Sequence, residues 1–159
     1  MGELHTGGCH CGRLRYQFSG PLRDIAHCHC STCRRVSGGL VTTWITLPAP
    51  AFQWTQGTPV RYGSSPSCTR LFCGNCGAQL ALETQLSPGS IDVTIATLDH
   101  PEQAPADRHI WTECNSIPAR NAERPPIEGG RGSDVKRSRL TSGATDVSPQ
   151  CLAGGAFFT

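Results

Sequence analysis

In Cys28-His29-Cys30-Ser31-Thr32-Cys33, three cysteines fall within six residues. Two further pairs lie far from this stretch in the sequence, Cys9 with Cys11 and Cys73 with Cys76. These are seven of the ten cysteines of the chain, and their short spacings are those with which proteins bind zinc. They divide as four plus three, which predicts one zinc with four protein ligands and a second zinc with three ligands and an open position.

The four-ligand site is predicted from the two flanking pairs. The two residues between Cys73 and Cys76 let both sulfurs reach one ion, and the following Gly77 suits a left-handed backbone. Cys9 and Cys11 cannot complete a tetrahedral site alone and need two distant ligands. Joining the pairs would link the start of the chain to its middle and stabilise a thin core. A thioredoxin-like redox pair is the alternative for the C-x-x-C motif, although its flanks resemble strands.

The second site is predicted from the cysteines that remain, Cys28, Cys30 and Cys33. Three protein ligands with an open position are typical of catalytic zinc rather than structural zinc. A closed site with a nearby fourth ligand is the alternative, and the candidates for that ligand are His10, His27, His29 and Cys68.

The chemistry of an open site with three thiolates can be argued from its charge. Three thiolates around Zn²⁺ leave a net negative charge, which weakens the activation of water and favours a soft thiol as the guest. Binding deprotonates such a thiol while its sulfur stays nucleophilic. We therefore expect addition of a thiolate cosubstrate to an electrophilic carbon. Arg34 and Arg35 follow directly and are candidates to bind a carboxylate of that cosubstrate, the alternative being solvated charges on a turn.

Composition limits the possible partners and the compartment. A chain of 159 residues predicts one domain, and 37% hydrophobic and 6% aromatic residues are low enough to favour a core stapled by metal. A net charge of +2 without a basic stripe argues against a nucleic-acid partner. No run approaches the roughly 20 apolar residues of a membrane span, and no signal peptide opens the sequence. We expect a cytoplasmic protein with no membrane partner, whose reduced cysteines bind metal rather than form disulfides.

The sequence pattern predicts a mainly β fold of short antiparallel strands. Residues 13–18 alternate apolar and polar side chains, as a half-buried strand does. Residues 4–8 are interpreted as a short lead, and residues 31–36 as one helical turn that ends at Gly38. Further strands are predicted at residues 40–47, 52–54, 60–62, 69–72, 78–82 and 91–95, with the C-x-x-C motif at the tip of a hairpin.

The character of the sequence changes near Cys114. Residues 119–159 are rich in Arg, Gly, Ser and Pro, with few apolar side chains and no alternation. Such a segment buries too little apolar surface to offset the entropy of ordering it, so we expect it to be disordered. We therefore divide the chain into a zinc-binding domain at residues 4–113 and a tail at residues 114–159. The abrupt change also motivates the hypothesis that the reading frame shifts near Cys114.

Three motifs together resemble a known family. G-x-C-x-C-G at residues 7–12, C-H-C-x-x-C-R-R at residues 28–35 and F-C-x-x-C-G at residues 72–77 are similar to the glutathione-dependent formaldehyde-activating (Gfa-like) family. The similarity extends through Tyr16 to His109-Ile110-Trp111 and covers about residues 4–113.

The resemblance implies a β-rich, Mss4-like fold with one structural zinc and one active-site zinc. It also implies a carbon–sulfur lyase that joins formaldehyde and glutathione to S-hydroxymethylglutathione, so that the partners are a small-molecule thiol and an aldehyde. The leading hypothesis is therefore an enzyme in which a glutathione thiolate, bound at the second zinc, attacks an aldehyde carbon. The alternative from a different class is a zinc-stapled binding or scaffold module without turnover.

Overall fold

The computed structural model describes residues 2–114, which form two β-sheets and one short helix. The helix, α1, spans Ser31–Ser37. The strands are β1 Leu4–Gly8, β2 Arg15–Ser19, β3 Ile25–Cys28, β4 Thr42–Pro48, β5 Phe52–Gln56, β6 Val60–Ser65, β7 Cys68–Phe72, β8 Gln79–Thr84, β9 Ser90–Thr94 and β10 Arg108–Ile110. Short 3-10 turns lie at Ala49–Ala51, Ile95–Thr97, Pro101–Gln103 and Thr112–Cys114. The prediction of a mainly β fold is confirmed.

The predictions made for the tail, disorder and a shifted reading frame, concern residues that lie almost entirely outside the described ones. Within residues 2–114, no helix is both long enough and apolar enough to cross a bilayer.

The two sheets differ in size and in order. The small sheet has the order β1-β2-β5, and the large sheet has the order β10-β3-β4-β9-β8-β7-β6. All strand pairs are antiparallel except β10 with β3, which run parallel. The interpretation of residues 4–8 as a lead was wrong, because they form a strand that pairs with β2 from Leu4 opposite Ser19 to Gly8 opposite Arg15. Strand β9 begins and ends one residue earlier than predicted, since Ile95 begins a 3-10 turn.

The main core lies between the small sheet and one face of the large sheet. Tyr16 and Phe18 alternate inward along β2, and Ile45 and Leu47 do so along β4. All four side chains are buried in one cluster, as expected for strands with one apolar face each. The alternation of every second residue, which predicted β2 from the sequence, therefore matches the residues of β2 that lie in the core.

The opposite face of the large sheet carries a second, smaller cluster. Trp44 alternates with Ile45 along β4 and therefore faces away from the main core. It is buried with Cys28, at the end of β3, and with Cys33, from α1. The helix packs on this face, so the central cysteine stretch is placed by the large sheet rather than by the space between the sheets.

Candidate metal centres

One group of four sulfurs joins the tips of two hairpins. The sulfur atoms of Cys9, Cys11, Cys73 and Cys76, here the four-sulfur group, all lie within 4.8 Å of one another. The first two belong to the turn between β1 and β2 in the small sheet. The other two belong to the turn between β7 and β8 in the large sheet. The group therefore connects the two sheets at one end of the main core.

The two turns of the four-sulfur group have matching backbones. Gly12 follows the first cysteine pair with φ +74°, and Gly77 follows the second with φ +76°, a left-handed conformation that favours glycine. The N–H of Gly12 donates to the carbonyl of Cys9 at 3.0 Å, and the N–H of Gly77 donates to that of Cys73 at 2.8 Å. In the first turn the N–H of Leu14 also donates to the sulfur of Cys9 at 3.2 Å. Backbone groups thus hold the sulfurs in place.

The spacing of these sulfurs fits zinc. The sulfur of Cys11 lies 3.5 Å from that of Cys9 and 3.7 Å from that of Cys73. Four sulfurs at about 2.3 Å from one tetrahedral ion would be about 3.8 Å apart, whereas a disulfide bond is about 2.05 Å long. The N–H of Arg13 also lowers the pKa of the Cys11 thiol to about 6, which favours the thiolate that a metal requires. All four residues fit a structural zinc ligand set.

A second group contains three sulfurs. The sulfur atoms of Cys28, Cys30 and Cys33, here the three-sulfur group, lie within 4.8 Å of one another. The backbone N–H of Cys33 donates to the sulfur of Cys30 at 3.2 Å, so that Cys30 caps the start of α1. Hydrogen bonding with Cys28 lowers the pKa of Cys30, and hydrogen bonding with Cys30 raises the pKa of Cys28. Closely packed thiols of this kind also fit a soft divalent metal ion.

The residues considered as a fourth ligand lie outside both groups. Among residues 2–114, no histidine nitrogen, carboxylate oxygen or further cysteine sulfur lies within 4.8 Å of all three sulfurs. His10 is exposed on the first hairpin turn, and the sulfur of Cys68 contacts the hydroxyl of Thr84 at 3.5 Å. His27 contacts the hydroxyl of Thr43 at 2.8 Å through Nδ1. Among the described residues, the three-sulfur group thus contains three possible ligands of one kind.

Three histidine rings form a cluster at the edge of the large sheet where β3 pairs with β10. The ring of His109 stacks on that of His29 with centroids 5.1 Å apart, and the ring of His27 lies 5.0 Å from His109 on another side. Nε2 of His29 and Nδ1 of His109 are 2.8 Å apart. His29 is buried and its Nδ1 has no hydrogen-bond partner among the described residues. Sequence analysis did not pair these histidines, because the parallel pairing of β10 with β3 that brings them together leaves no local signal.

Sequence analysis also missed Arg70. It lies on β7 and is 3% exposed, and its Nη2 donates to the sulfur of Cys33 at 3.5 Å. Its Nε donates to the hydroxyl of Ser64 at 3.1 Å. The only sequence signal is one of position, since Arg70 alternates with the core residue Leu71 and so faces the sheet surface on which the three-sulfur group lies.

The predicted carboxylate-binding arginines occupy different environments. Arg34 is half-buried and its Nε is shielded from solvent, with no hydrogen-bond partner among the described residues. Arg35 is exposed to solvent. Both follow Cys33 on α1 and place two positive charges on the helix that carries the last cysteine of the three-sulfur group.

A cleft of about 550 Å³ opens elsewhere, between the small sheet and β8. Phe52 and Trp54 line one side of it, and Glu83 and Gln85 line another. None of the cysteines of either sulfur group lines this cleft. The chemistry-bearing residues and this opening are therefore separate features of the molecule.

The chain is similar to proteins of known sequence and structure. A protein of Schizosaccharomyces pombe described as an uncharacterized lyase is 31% identical over 83 residues, which are 48% of this chain and 55% of that protein. The chain thus spans about half the length of the curated relative it matches. A Rhodobacter sphaeroides protein of known crystal structure superposes with a TM-score of 0.56 at 22% identity, covering 65% of this chain and 98% of that chain, which shows a shared fold.

A family model described as glutathione-dependent formaldehyde-activating enzyme matches residues 4–114. The match contains both sulfur groups and ends where the composition of the sequence changes. It confirms the resemblance drawn from the three cysteine motifs: the chain belongs to the glutathione-dependent formaldehyde-activating enzyme family.

Proposed function

We propose that this protein is a carbon–sulfur lyase that joins glutathione to formaldehyde or a related aldehyde. In this proposal the four-sulfur group holds a structural zinc and the three-sulfur group holds a second zinc at which the thiol binds. The observation that carries it is the difference between the groups, four sulfurs in one and three in the other, with no fourth ligand close to all three among residues 2–114. The family and the relative described as a lyase support the reaction class.

The reaction needs no oxidant or reductant. A bond forms between the glutathione sulfur and the aldehyde carbon, and the thiol proton ends on the aldehyde oxygen, which gives an S-hydroxyalkyl adduct. The reverse reaction breaks that carbon–sulfur bond. A zinc ion bound by three thiolates would supply a site that deprotonates a thiol and leaves its sulfur nucleophilic.

The residues of the chain would position the cosubstrate. Cys28, Cys30 and Cys33 come from one strand end and one helix, so their sulfurs converge from one side. Arg34 and Arg35 follow on the same helix, and their charges suit a carboxylate of glutathione. The parts of this proposal that concern the aldehyde rest on the family alone.

The test compares the wild-type chain with Cys28→Ser. We expect the variant to lose one equivalent of zinc, to keep its folded circular dichroism spectrum and to lose glutathione binding in calorimetry. The adduct formed from glutathione and ¹³C-formaldehyde, followed by NMR, should then form at the uncatalysed rate. Cys68→Ser is the matched control, because Cys68 is a half-buried thiol outside both sulfur groups.

Two results would overturn the proposal. If the wild-type chain binds no glutathione, the chain is a zinc-stapled module without this activity. If Cys28→Ser keeps both its metal content and its glutathione binding, the three-sulfur group is not the site.

A further inference from the structure

Arg70 carries a buried positive charge that no carboxylate neutralises. No carboxylate of residues 2–114 lies within ion-pair distance of its guanidinium, although four other basic side chains there form such pairs, namely Arg15, Arg61, His100 and Arg108. Its Nη1 is buried and has no hydrogen-bond partner among the described residues. Burying an unpaired charge costs on the order of several kcal/mol unless a counter-charge lies close by. A counter-charge other than a carboxylate is therefore needed for this guanidinium.

The nearest candidate for the counter-charge is the three-sulfur group. Nη2 of Arg70 is 3.5 Å from the sulfur of Cys33, which is a hydrogen-bond distance for sulfur. Ser64, the other partner of the guanidinium, is neutral. Because Nη1 is shielded from solvent, an external anion has no direct access to it. The sulfur group is thus the partner that the geometry supplies.

We propose that Arg70 is a positioning residue for the metal centre at the three-sulfur group, where it balances the charge of the thiolates and fixes the sulfur of Cys33. This inference rests on the proposed function, since it takes that group to bind zinc. Three thiolates around a divalent ion leave one surplus negative charge. The guanidinium of Arg70 supplies a buried positive charge against that surplus, and its N–H bond orients one ligand, as groups that contact metal ligands commonly do.

The four-sulfur group is held by different contacts among residues 2–114. The sulfurs of the four-sulfur group receive backbone N–H bonds, as Cys9 does from Leu14, and Cys11 is exposed to water. In the three-sulfur group Cys28 and Cys33 are buried and Cys30 is half-buried, so none of the three is exposed to water as Cys11 is. A buried thiolate group needs a buried counter-charge, and Arg70 is the buried arginine among the described residues.

The test uses the full chain and three variants. Arg70→Met removes the charge and the hydrogen bonds while keeping an extended side chain, and Arg70→Lys keeps the charge without the planar fork. Arg61→Met is the matched control, because Arg61 lies on the adjacent strand β6 but is exposed and paired with Glu83. The readouts are zinc per chain, zinc affinity against a competing chelator, and the thiolate-to-cobalt absorption band after replacement of zinc by Co²⁺.

We expect Arg70→Met to lower the affinity for the second zinc by roughly 10- to 100-fold, the range observed when a group that contacts a metal ligand is removed. The first zinc should be retained, and the thiolate-to-cobalt band of the second site should shift. Arg70→Lys should recover most of the affinity but not the position of the band, and Arg61→Met should match the wild type in both.

Each outcome supports or contradicts the positioning role of Arg70. If Arg70→Met binds two metal ions with wild-type affinity and an unchanged cobalt band, the inference is wrong while the proposed function stands. A wild-type chain that holds one zinc, unaffected by Cys28→Ser, overturns both. If Arg70→Met does not fold, Arg70→Lys decides: an unshifted cobalt band and wild-type affinity in that variant contradict the positioning role.

Discussion

The four-sulfur group and the three-sulfur group offer a metal the same ligand atom but are held by different kinds of structure. In the first, two hairpin turns with left-handed glycines place the sulfurs, and backbone N–H groups contact them. In the second, a strand end and a helix place the sulfurs on a sheet face, where the N–H of Cys33 contacts the sulfur of Cys30 and the side chain of Arg70 contacts the sulfur of Cys33. The four-sulfur group joins two sheets through their turns, whereas the three-sulfur group lies on one face of one sheet, and under the proposed function it is this second group that exchanges a ligand.

The largest expected effect comes from Cys73→Ser, which removes a ligand that connects the two sheets. Binding of a structural zinc contributes on the order of 10 kcal/mol in small zinc domains, as much as the entire stability of many domains. We expect the variant to lose one zinc and to be largely unfolded at 25 °C, as measured by zinc content and circular dichroism. Cys28→Ser should lose one zinc and remain folded.

Cys73→Ser and Cys28→Ser can also contradict the roles assigned to the two sulfur groups. If Cys73→Ser melts at the wild-type temperature while Cys28→Ser unfolds, the roles of the two groups are the reverse of those argued above. Cys68→Ser should change neither metal content nor melting temperature, since its thiol belongs to neither group.

The features that the sequence could predict are those fixed by neighbouring residues. The short spacings of Cys9 with Cys11 and of Cys73 with Cys76 are local, and the turns that position them need only glycines that the sequence shows. The alternation in β2 and the Thr-rich, β-branched composition of residues 40–47 likewise predicted strands from local pattern. Local pattern therefore gave the β class and both sets of grouped cysteines.

What the sequence did not predict depends on pairing between distant strands. Arg70 reaches Cys33 only because β7 and β3 belong to one seven-stranded sheet, and His109 reaches His29 only through the parallel pairing of β10 with β3. Strand β1 was missed because Gly7 and Gly8 are poor strand formers, and it is its pairing with β2 that holds it extended. The register between distant strands produces no recognisable pattern in the sequence of either strand.

The next effect in size concerns the strand that leads into the four-sulfur group. A Cβ at Gly7 would lie 2.3 Å from the Tyr16 hydroxyl and 2.5 Å from the Thr97 carbonyl oxygen, closer than any such contact allows. Tyr16 is buried and hydrogen-bonded to Thr97, so it has no room to retreat. We expect Gly7→Ala to lower the free energy of unfolding by about 1–3 kcal/mol, as overpacked cores do, measured by urea denaturation.

Gly63→Ala is the control for that substitution. Gly63 also lies in a strand, and a Cβ there would meet nothing within 4 Å. We expect a neutral change or a gain of about 0.5 kcal/mol from reduced backbone entropy. Equal stability of the two variants would mean that the approach to Cys9 is not closely packed, and would weaken the view that this end of the molecule is the rigid one.

The smallest effect concerns the ion pair that ties the small sheet to the segment after Ile95–Thr97. Asp99 accepts hydrogen bonds from Arg15 on β2, at 2.9 Å for one of them, and from Thr6 on β1 at 2.6 Å. Hydrogen bonds from Arg15 first and from Thr6 second hold the pKa of Asp99 below its usual value of 3.8. Burial opposes this by raising the pKa, and the charges of Arg15 and His100 lower it further. Because the folded-state pKa is depressed, this stabilisation is present above about pH 4 and is lost as the pH falls through the folded-state pKa.

The pair is partly exposed, so Asp99→Asn should cost only about 0.5–1 kcal/mol at pH 7. The difference from the wild type should shrink at acid pH, once the pH has fallen below the depressed folded-state pKa of Asp99 and both carry a neutral side chain. Urea denaturation at both pH values measures it, and Glu83→Gln, which alters the more exposed pair with Arg61 on the large sheet, is the control. A loss of stability that is the same at both pH values would mean that Asp99 acts through its geometry rather than its charge, leaving the four-sulfur group and the core as the contacts that join the two sheets.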